Sequence, residues 1–371
     1  MSSRVTKVAI CSPYALDVFG GVQEQTLAMS RTLESRGIRV LVVAPASRGS
    51  ADFETPATVR TFAPVTSVPA NGSRAPLALS PLSAWRASEA IEAFSPDVVH
   101  LHEPFAPLLA YRALRRHRAP TVGTFHRAGS GPAYTYTRAL LRWLSQGLDD
   151  VVAVSASAAS TLHDEVGLRA DVAFNGFETE RFREFPRSTV EGRTNVLFVG
   201  RLEERKGVLS VLEAARVMTS DAPDWRFTIA GDGPLRAEVQ RRANEIGSVD
   251  VLGAVSDETK RRLLRRADVV VAASIGGESF GMVILEPMAA EAPVVVSDID
   301  GYREAAAGHG VLYSPGDAHA LVTALRVARR DVDADAIAAA RAHAERWSMS
   351  ALMDLYGDHY ERAVLAFRAA R

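Results

Sequence analysis

One cysteine, Cys11, stands in 371 residues. That excludes a disulfide framework and a cysteine-based zinc site, and it fits a reducing compartment. Lysine is nearly as scarce: of 43 basic residues only Lys7, Lys206 and Lys260 are lysines. Each is therefore worth examining for something an ammonium does and a guanidinium does not. Excess charge is missing as well. The formal net charge is −1, and neither half of the chain carries the positive surplus of a phosphate-backbone binder, so nucleic acid is not expected as a partner. No apolar run approaches the roughly 18 residues of a membrane span. The stretch Val8–Cys11, ended by Pro13, is too short for a signal h-region. The expected location is the cytoplasm, with no transmembrane segment.

What is present is ordinary for a globular enzyme. Hydrophobic residues make up 47% and charged residues 23%, which excludes disorder and fibrous repeats. At about 100–200 residues per domain, the length implies two domains. Short apolar runs at Lys7–Ser12, Arg39–Ala44, Val98–His102, Thr121–Phe125 and Asp150–Val154 alternate with helical patterns such as Val22–Arg36. A second copy of the same grammar starts at Asn195. Its strands are expected at Val196–Gly200, Phe227–Ala230, Asp268–Ala272 and Val294–Ser297, and its helices at Lys206–Met218, Ala318–Arg330 and Ala334–Arg346. A last helix is expected from about Ser350 to Ala370. Strands apolar along their whole length and joined by helices imply parallel sheets covered on both faces. The expected fold class is α/β, two doubly wound Rossmann-like domains with a cleft between them. Arg181–Arg193, with Pro186 and Gly192, reads as the linker. Thr55–Pro81 shows little periodicity.

Ligands of such sheets bind at the carboxyl ends of the strands, and three loops there carry candidate chemistry. In the first, Gly20-Gly21 separates the first strand from its helix, which lets backbone N–H groups approach a phosphate. A tight turn is the alternative use. The loop lacks GxGxxG spacing, which counts against a dehydrogenase. In the second, Gly200-Arg201 through Lys206-Gly207 puts two cations at a strand–helix junction, suited to a departing diphosphate. Alternatively, Glu203 and Glu204 neutralise them within the loop. In the third, Gly276 to Gly281 precedes a helix that carries Glu286, and Glu278 lies in the loop itself. Carboxylates there suit sugar hydroxyls; for Glu286, a capping role ahead of Pro287 is the other reading. His126 ends a strand and reads either as structural or as a site residue. His100 and His102 are expected on opposite faces of their strand, which would keep them from sharing a metal ion. Asp298-Ile299-Asp300 resembles a metal-binding DxD but reads as a turn.

In this order, the loops resemble the family-four glycosyltransferases of the GT-B fold. The matching stretches are Pro13-Tyr14, Asp17-Val18, Gly20-Gly21-Val22-Gln23, His102-Glu103-Pro104, Thr124-Phe125-His126 and Asn175-Gly176. They continue with Phe198-Val199-Gly200-Arg201, Lys206-Gly207, Gly277-Glu278-Ser279-Phe280-Gly281, Glu286 and Ser297-Asp298-Ile299-Asp300. Within the family they are most similar to the mycobacterial-type enzymes that add the first mannose to phosphatidylinositol.

The resemblance implies an acceptor-binding domain over 1–185, a nucleotide-sugar-binding domain over 190–347, and a C-terminal helix over 348–371 that returns to the first domain. It also implies roles. Gly20, Gly21, Arg201 and Lys206 would hold the donor diphosphate, and Glu286 the ribose. Glu278, Ser279, Phe280 and Gly281 would hold the hexose, with Asp257 and Lys260 at a guanine. His126 would sit beside the anomeric carbon, with Arg201, Lys206 and Glu278 completing the catalytic set. Tyr14, Asp17, Gln23, Asn71 and His126 would serve the acceptor. The reaction implied is a retaining transfer of mannose from GDP-mannose to phosphatidylinositol or another glycolipid precursor at the inner membrane surface. No cofactor is implied, and Mg2+ is not obligatory.

The departures lie on the acceptor side. Where those mannosyltransferases place a Tyr-Asn pair and a lysine, this chain has Ala70-Asn71 and Gly131. Their basic amphipathic helix corresponds to Pro81–Phe94, which has Arg86 alone against Glu89 and Glu92. Arg112, Arg115 and Arg116 suit a solvated helix face or a basic one that meets lipid. Trp85, Tyr134, Tyr136 and Trp143 are expected to pack into the first domain, with a lipid interface as the other reading. A nucleotide-sugar epimerase, a UDP-sugar transferase with a soluble acceptor and a non-catalytic sugar-nucleotide binder are the competing functions.

Overall fold

The computed structural model describes residues 5–18, 20–46, 53–70, 73–106, 114, 119–127, 132–188, 192–276, 281–331 and 333–370. They form two compact units: residues 1–177 with 349–371, and residues 178–348.

The first unit is built on a parallel sheet of seven strands. These are β1 (Lys7–Cys11), β2 (Arg39–Pro45), β3 (Thr58–Phe62), β6 (Val98–His102), β7 (Thr121–Phe125), β8 (Asp150–Ala153) and β9 (Asp171–Val172). Their order is β3-β2-β1-β6-β7-β8-β9. β1 explains the continuous apolar runs. Val8 and Ile10 face one core layer, with the helix Gly21–Ser35 and the C-terminal helix Met349–Ala369. Ala9 and Cys11 face another, which includes Ala87, Leu141 and Leu162. Both layers exclude water, so alternation is lost. The Asp97 carboxylate accepts the Thr6 and Lys7 amides at 2.8 and 2.9 Å and ties the start of β1 to that of β6. The C-terminal helix enters this unit through Leu352, Met353, Tyr356 and Tyr360, all at most 2% exposed.

Thr55–Pro81 holds structure that its composition hides. β3 adds to the sheet edge beside β2. β4 (Thr66–Ala70) and β5 (Ser73–Leu77) make an antiparallel pair of their own, with a proline in each. Prolines break a ladder unless the strand lies at an edge.

The second unit repeats the plan with β10 (Thr194–Val199), β11 (Trp225–Ala230), β12 (Val249–Gly253), β13 (Val269–Ala272), β14 (Val294–Ser297) and β15 (Val311–Tyr313). The order is β12-β11-β10-β13-β14-β15, all parallel. Val196, Phe198, Phe227, Ile229 and Val271 pack with residues of the helices Val208–Asp221 and Ala318–Asp331.

Two boundaries differ from expectation. The short helix Thr179–Arg183, at the start of the expected linker, is already part of the second unit, so the chain passes over after Phe177. Lys206 does not open the next helix. It closes a 3-10 turn, Glu204–Lys206, and Gly207 (φ 70°) precedes the helix at Val208. A side chain on Gly207 would collide with the Ala273 carbonyl, and its left-handed backbone favours glycine independently.

Candidate active site

In the second unit, the loops at the carboxyl ends of β10, β11 and β13 are joined backbone to backbone. The Gly200 amide donates to the Ala230 carbonyl (3.0 Å), Leu202 to Asp232 (2.9 Å), and Ile275 to Arg205 (2.8 Å). The loop carrying Arg201 and Lys206 is therefore fixed along its length, while the Arg201 side chain stays 68% exposed. Glu203 pairs with Arg205 at 2.7 Å and reaches Arg201 at only 3.8 Å. The neutralising role expected of Glu203 thus falls mainly on Arg205.

Glu278, Ser279 and Phe280 lie outside the described residues. Gly281 (φ 74°) caps the helix Met282–Ala289, whose fifth residue is Glu286. The Glu286 carboxylate is no helix cap: it accepts from the Lys260 ammonium at 2.8 Å. Lys260 lies on the helix Asp257–Arg266 and also meets the Asp257 carboxylate at 3.3 Å. Its ammonium stands over the Phe182 ring, 5.6 Å from the centroid. Asp257, Lys260 and Glu286 therefore converge, and both members of the Lys260–Glu286 pair are less than one-fifth exposed. Arg261 buttresses the group, pairing with Asp257 and with Glu184 at 3.3 Å. Sequence reasoning missed Phe182, Glu184 and Arg261, because no local spacing links positions 77 residues apart.

In the first unit, Gly20 is extended (φ −177°) and caps the helix that Gly21 opens. Neither glycine has a positive φ, so backbone geometry does not demand the pair. A side chain on Gly20 would strike the end of Gln23, while the space beside Gly21 is open. Gln23 is buried and donates to the Ala15 carbonyl at 3.3 Å, holding its own loop. Tyr14 bridges Leu77, and the Ala15 amide donates to Pro76, so this loop is pinned to the β4–β5 pair. Asp17 lies on the same loop and is partly buried. Asn71 lies outside the described residues, as do Gly131, Arg112, Arg115 and Arg116.

β6 and β7 bring three histidines together. The expectation that His100 and His102 lie on opposite faces is wrong, since residues two apart in a strand share a face. Their rings stack 4.7 Å apart. His102 Nδ1 lies 2.9 Å from His126 Nε2. The His126 amide donates to the Glu103 carboxylate at 2.7 Å, and Glu103 adopts a left-handed φ of 46°. His100 bonds the Tyr360 hydroxyl through Nδ1 and the Thr124 hydroxyl through Nε2, both at 2.8 Å. Thr124 in turn meets the Tyr356 hydroxyl at 2.6 Å.

Burial holds all three imidazoles neutral. It lowers His126 to about 4. His100 is lowered to about 3, chiefly by burial and then by His126 and His359. His102 falls well below its ordinary range for the same first reason, with help from His100 and His126. Burial pushes the Glu103 carboxyl up to about 6, against the pull of the His126 and Arg127 amides and the Arg127 charge.

The Asp298 and Asp300 carboxylates both pair with Arg303, at 2.6 and 3.0 Å. No cluster of three or more potential ligands suited to a metal ion occurs among the described residues. Trp85, Tyr136 and Trp143 do not pack inside as expected; all three are exposed, Tyr136 at 88%. The side chain of Tyr134 lies outside the described residues. No described helix is long and apolar enough to cross a membrane.

Known proteins match this architecture over nearly its whole length. Residues 19–181 match the family described as Glycosyltransferase Family 4, and residues 193–331 match Glycosyl transferases group 1. The phosphatidyl-myo-inositol mannosyltransferase of Mycobacterium leprae is 35% identical over 94% of this chain and 96% of its own. Among solved structures, a glycosyltransferase from Rickettsia africae aligns with a TM-score of 0.72 at 18% identity, over 98% of this chain and 99% of its own. An Anabaena protein in complex with UDP and glucose aligns with a TM-score of 0.63 at 18% identity, covering 95% of this chain and 99% of its own.

Proposed function

The chain belongs to the family-four glycosyltransferases of the GT-B fold, and from that premise we propose that it transfers mannose from GDP-mannose, with retention, to phosphatidylinositol at a membrane surface. The observation that carries this reading is the convergence of Asp257, Lys260 and Glu286. Two carboxylates bridged by one ammonium offer the acceptors and the donor that a guanine and a ribose require. Arg201 and Lys206 serve the diphosphate, whose negative charge grows as the glycosidic bond breaks; their contribution is largest in the transition state. The amides of Gly20 and Gly21, at the opening of a helix, suit an anionic group. His126 and Glu278 serve the transferred hexose. These cations neutralise the leaving group without an obligatory metal. The lipid acceptor is supported by the Mycobacterium leprae relative and by the exposed Trp85, Tyr136 and Trp143.

The test is a matrix of donors and acceptors. Purified protein is given GDP-mannose, UDP-glucose or UDP-galactose, with phosphatidylinositol vesicles, inositol phosphate or simple sugars, and nucleoside diphosphate release is followed. Release from GDP-mannose with vesicles, and mannolipid as product, is expected. Transfer from a UDP-sugar to a soluble sugar alone overturns both donor and acceptor. An epimerised nucleotide sugar formed without acceptor identifies an isomerase instead.

A further inference from the structure

His102 Nδ1 and His126 Nε2 lie 2.9 Å apart. With both rings neutral, one nitrogen must donate and the other accept, and only two arrangements exist. In one, His126 Nε2–H donates to His102 Nδ1, and the His102 proton must then reside on Nε2. That atom is buried and has no hydrogen-bond partner among the described residues. A buried N–H without an acceptor is among the rarest defects of folded proteins. In the other arrangement His102 donates from Nδ1, its Nε2 carries only a lone pair, and the His126 proton sits on Nδ1. His126 is partly buried, so an N–H at that atom has access to solvent or ligand.

The His102 ring is held for this purpose. It stacks on His100, both of whose nitrogens are engaged, by Tyr360 from the C-terminal helix and by Thr124 from β7. On the other side, Glu103 fixes the His126 backbone. The remaining ionisable groups around the trio, Glu103, Arg127 and His359, leave the rings neutral.

We infer that His102 is a positioning residue that locks His126 as its Nδ1–H tautomer, making His126 a hydrogen-bond donor to a ligand oxygen and not a base. The catalytic consequence rests on the hexosyltransferase reading, while the tautomer does not. A donor at that atom recognises a hydroxyl or ring oxygen of the transferred sugar. It cannot take the acceptor's proton, because the second nitrogen is occupied by His102.

The experiment labels histidine with 15N and records long-range 1H–15N correlations of the free enzyme at pH 7, with His126 assigned by its loss in His126→Gln. A protonated Nδ1 and bare Nε2 on His126 are expected, and the reverse pattern overturns the inference. No substrate is needed, so failure of the donor or acceptor assignment leaves this readout intact. Kinetics supply the second arm. His102→Phe removes the donor and is expected to lower kcat by about ten- to a hundredfold with KM changed little, the scale of a misoriented reacting group. His102→Asn keeps an N–H near the Nδ1 position and is expected to recover most of that loss. Equal losses in both variants, with the His126 tautomer unchanged in His102→Phe, overturn the positioning role.

Discussion

The Lys260 ammonium lies 2.8 Å from the Glu286 carboxylate, and the two are held on different helices of the second unit. Each is the other's main partner in a partly buried setting, so removing one strands the other. Glu286→Gln is therefore expected to weaken GDP as well as GDP-mannose, because the ribose is common to both, by about 1–3 kcal/mol for a charge-assisted hydrogen bond. Calorimetry decides it: equal GDP affinity in the variant and the parent would remove Glu286 from the ribose.

Arg201 and Lys206 share one fixed loop, Arg201 lying two residues past the end of β10 and Lys206 closing a 3-10 turn. Arg201→Ala and Lys206→Ala should each lower kcat by about a hundredfold or more, the scale for losing one transition-state charge donor. Donor affinity should change less, because the charge they meet is not yet developed in the ground state. Near-normal turnover in either variant places the diphosphate elsewhere.

The legible parts of this fold were those buried on both faces. β6, β7 and β14 lie where their apolar runs put them, because a strand covered on both sides carries its own outline in sequence. β3, half exposed at a sheet edge, and the proline-bearing β4–β5 pair have no such outline. The candidate site divides in the same way. Arg201 and Lys206 could be read from one loop, whereas Lys260 and Glu286 lie 26 residues apart; family resemblance implied a nucleoside role for each but not that they pair. Arg261 with Glu184 had no signal of any kind. The histidine trio is a different case: the two-residue strand period already placed His100 and His102 on one face.

Those histidines set a pH dependence of stability. His100 and His126 are lowered in the folded chain, to about 3 and about 4, from 6.5. The unfolded chain therefore binds more protons below pH 6.5, so their stabilising contribution is full above that value and is lost as pH falls toward 4. Glu103, raised from 4.5 to about 6, works in the opposite sense between those two values and offsets one of them. Urea unfolding between pH 7 and 4.5 should show stability falling on acidification. His100→Gln should flatten the slope by up to about 1.4 kcal/mol per pH unit, the linkage of one proton. An unchanged slope would mean that His100 is already charged in the fold.

Activity should survive EDTA. In the proposed mechanism Arg201 and Lys206 meet the leaving group, and Arg303 engages both Asp298 and Asp300. Loss of turnover in chelator, restored by manganese or magnesium, would promote Asp298-Ile299-Asp300 to a metal site and undo the proposed mechanism.

Attachment to lipid should depend on aromatic area more than on charge. The helix Pro132–Ser145 exposes Tyr136, Leu140 and Trp143 at i, i+4 and i+7, which is one stripe of a helix. The helix Pro81–Phe94 exposes Leu82 and Trp85, and its one cation, Arg86, is outnumbered by Glu89 and Glu92. Electrostatic docking is screened within about 8–10 Å at physiological salt, whereas burial of aromatic surface in the headgroup region is not. Vesicle sedimentation should therefore change little between 0.1 and 0.5 M salt, although the screening length contracts roughly twofold over that range. Tyr136→Ser with Trp143→Ser should raise the apparent KM for phosphatidylinositol in vesicles while leaving that for a short-chain, water-soluble phosphatidylinositol unchanged. If both KM values rise together, the stripe belongs to the fold or to the acceptor pocket and not to a membrane contact. If binding collapses with salt, positive charge carries the attachment, with Arg138 and Arg142 of the helix Pro132–Ser145 the first to test.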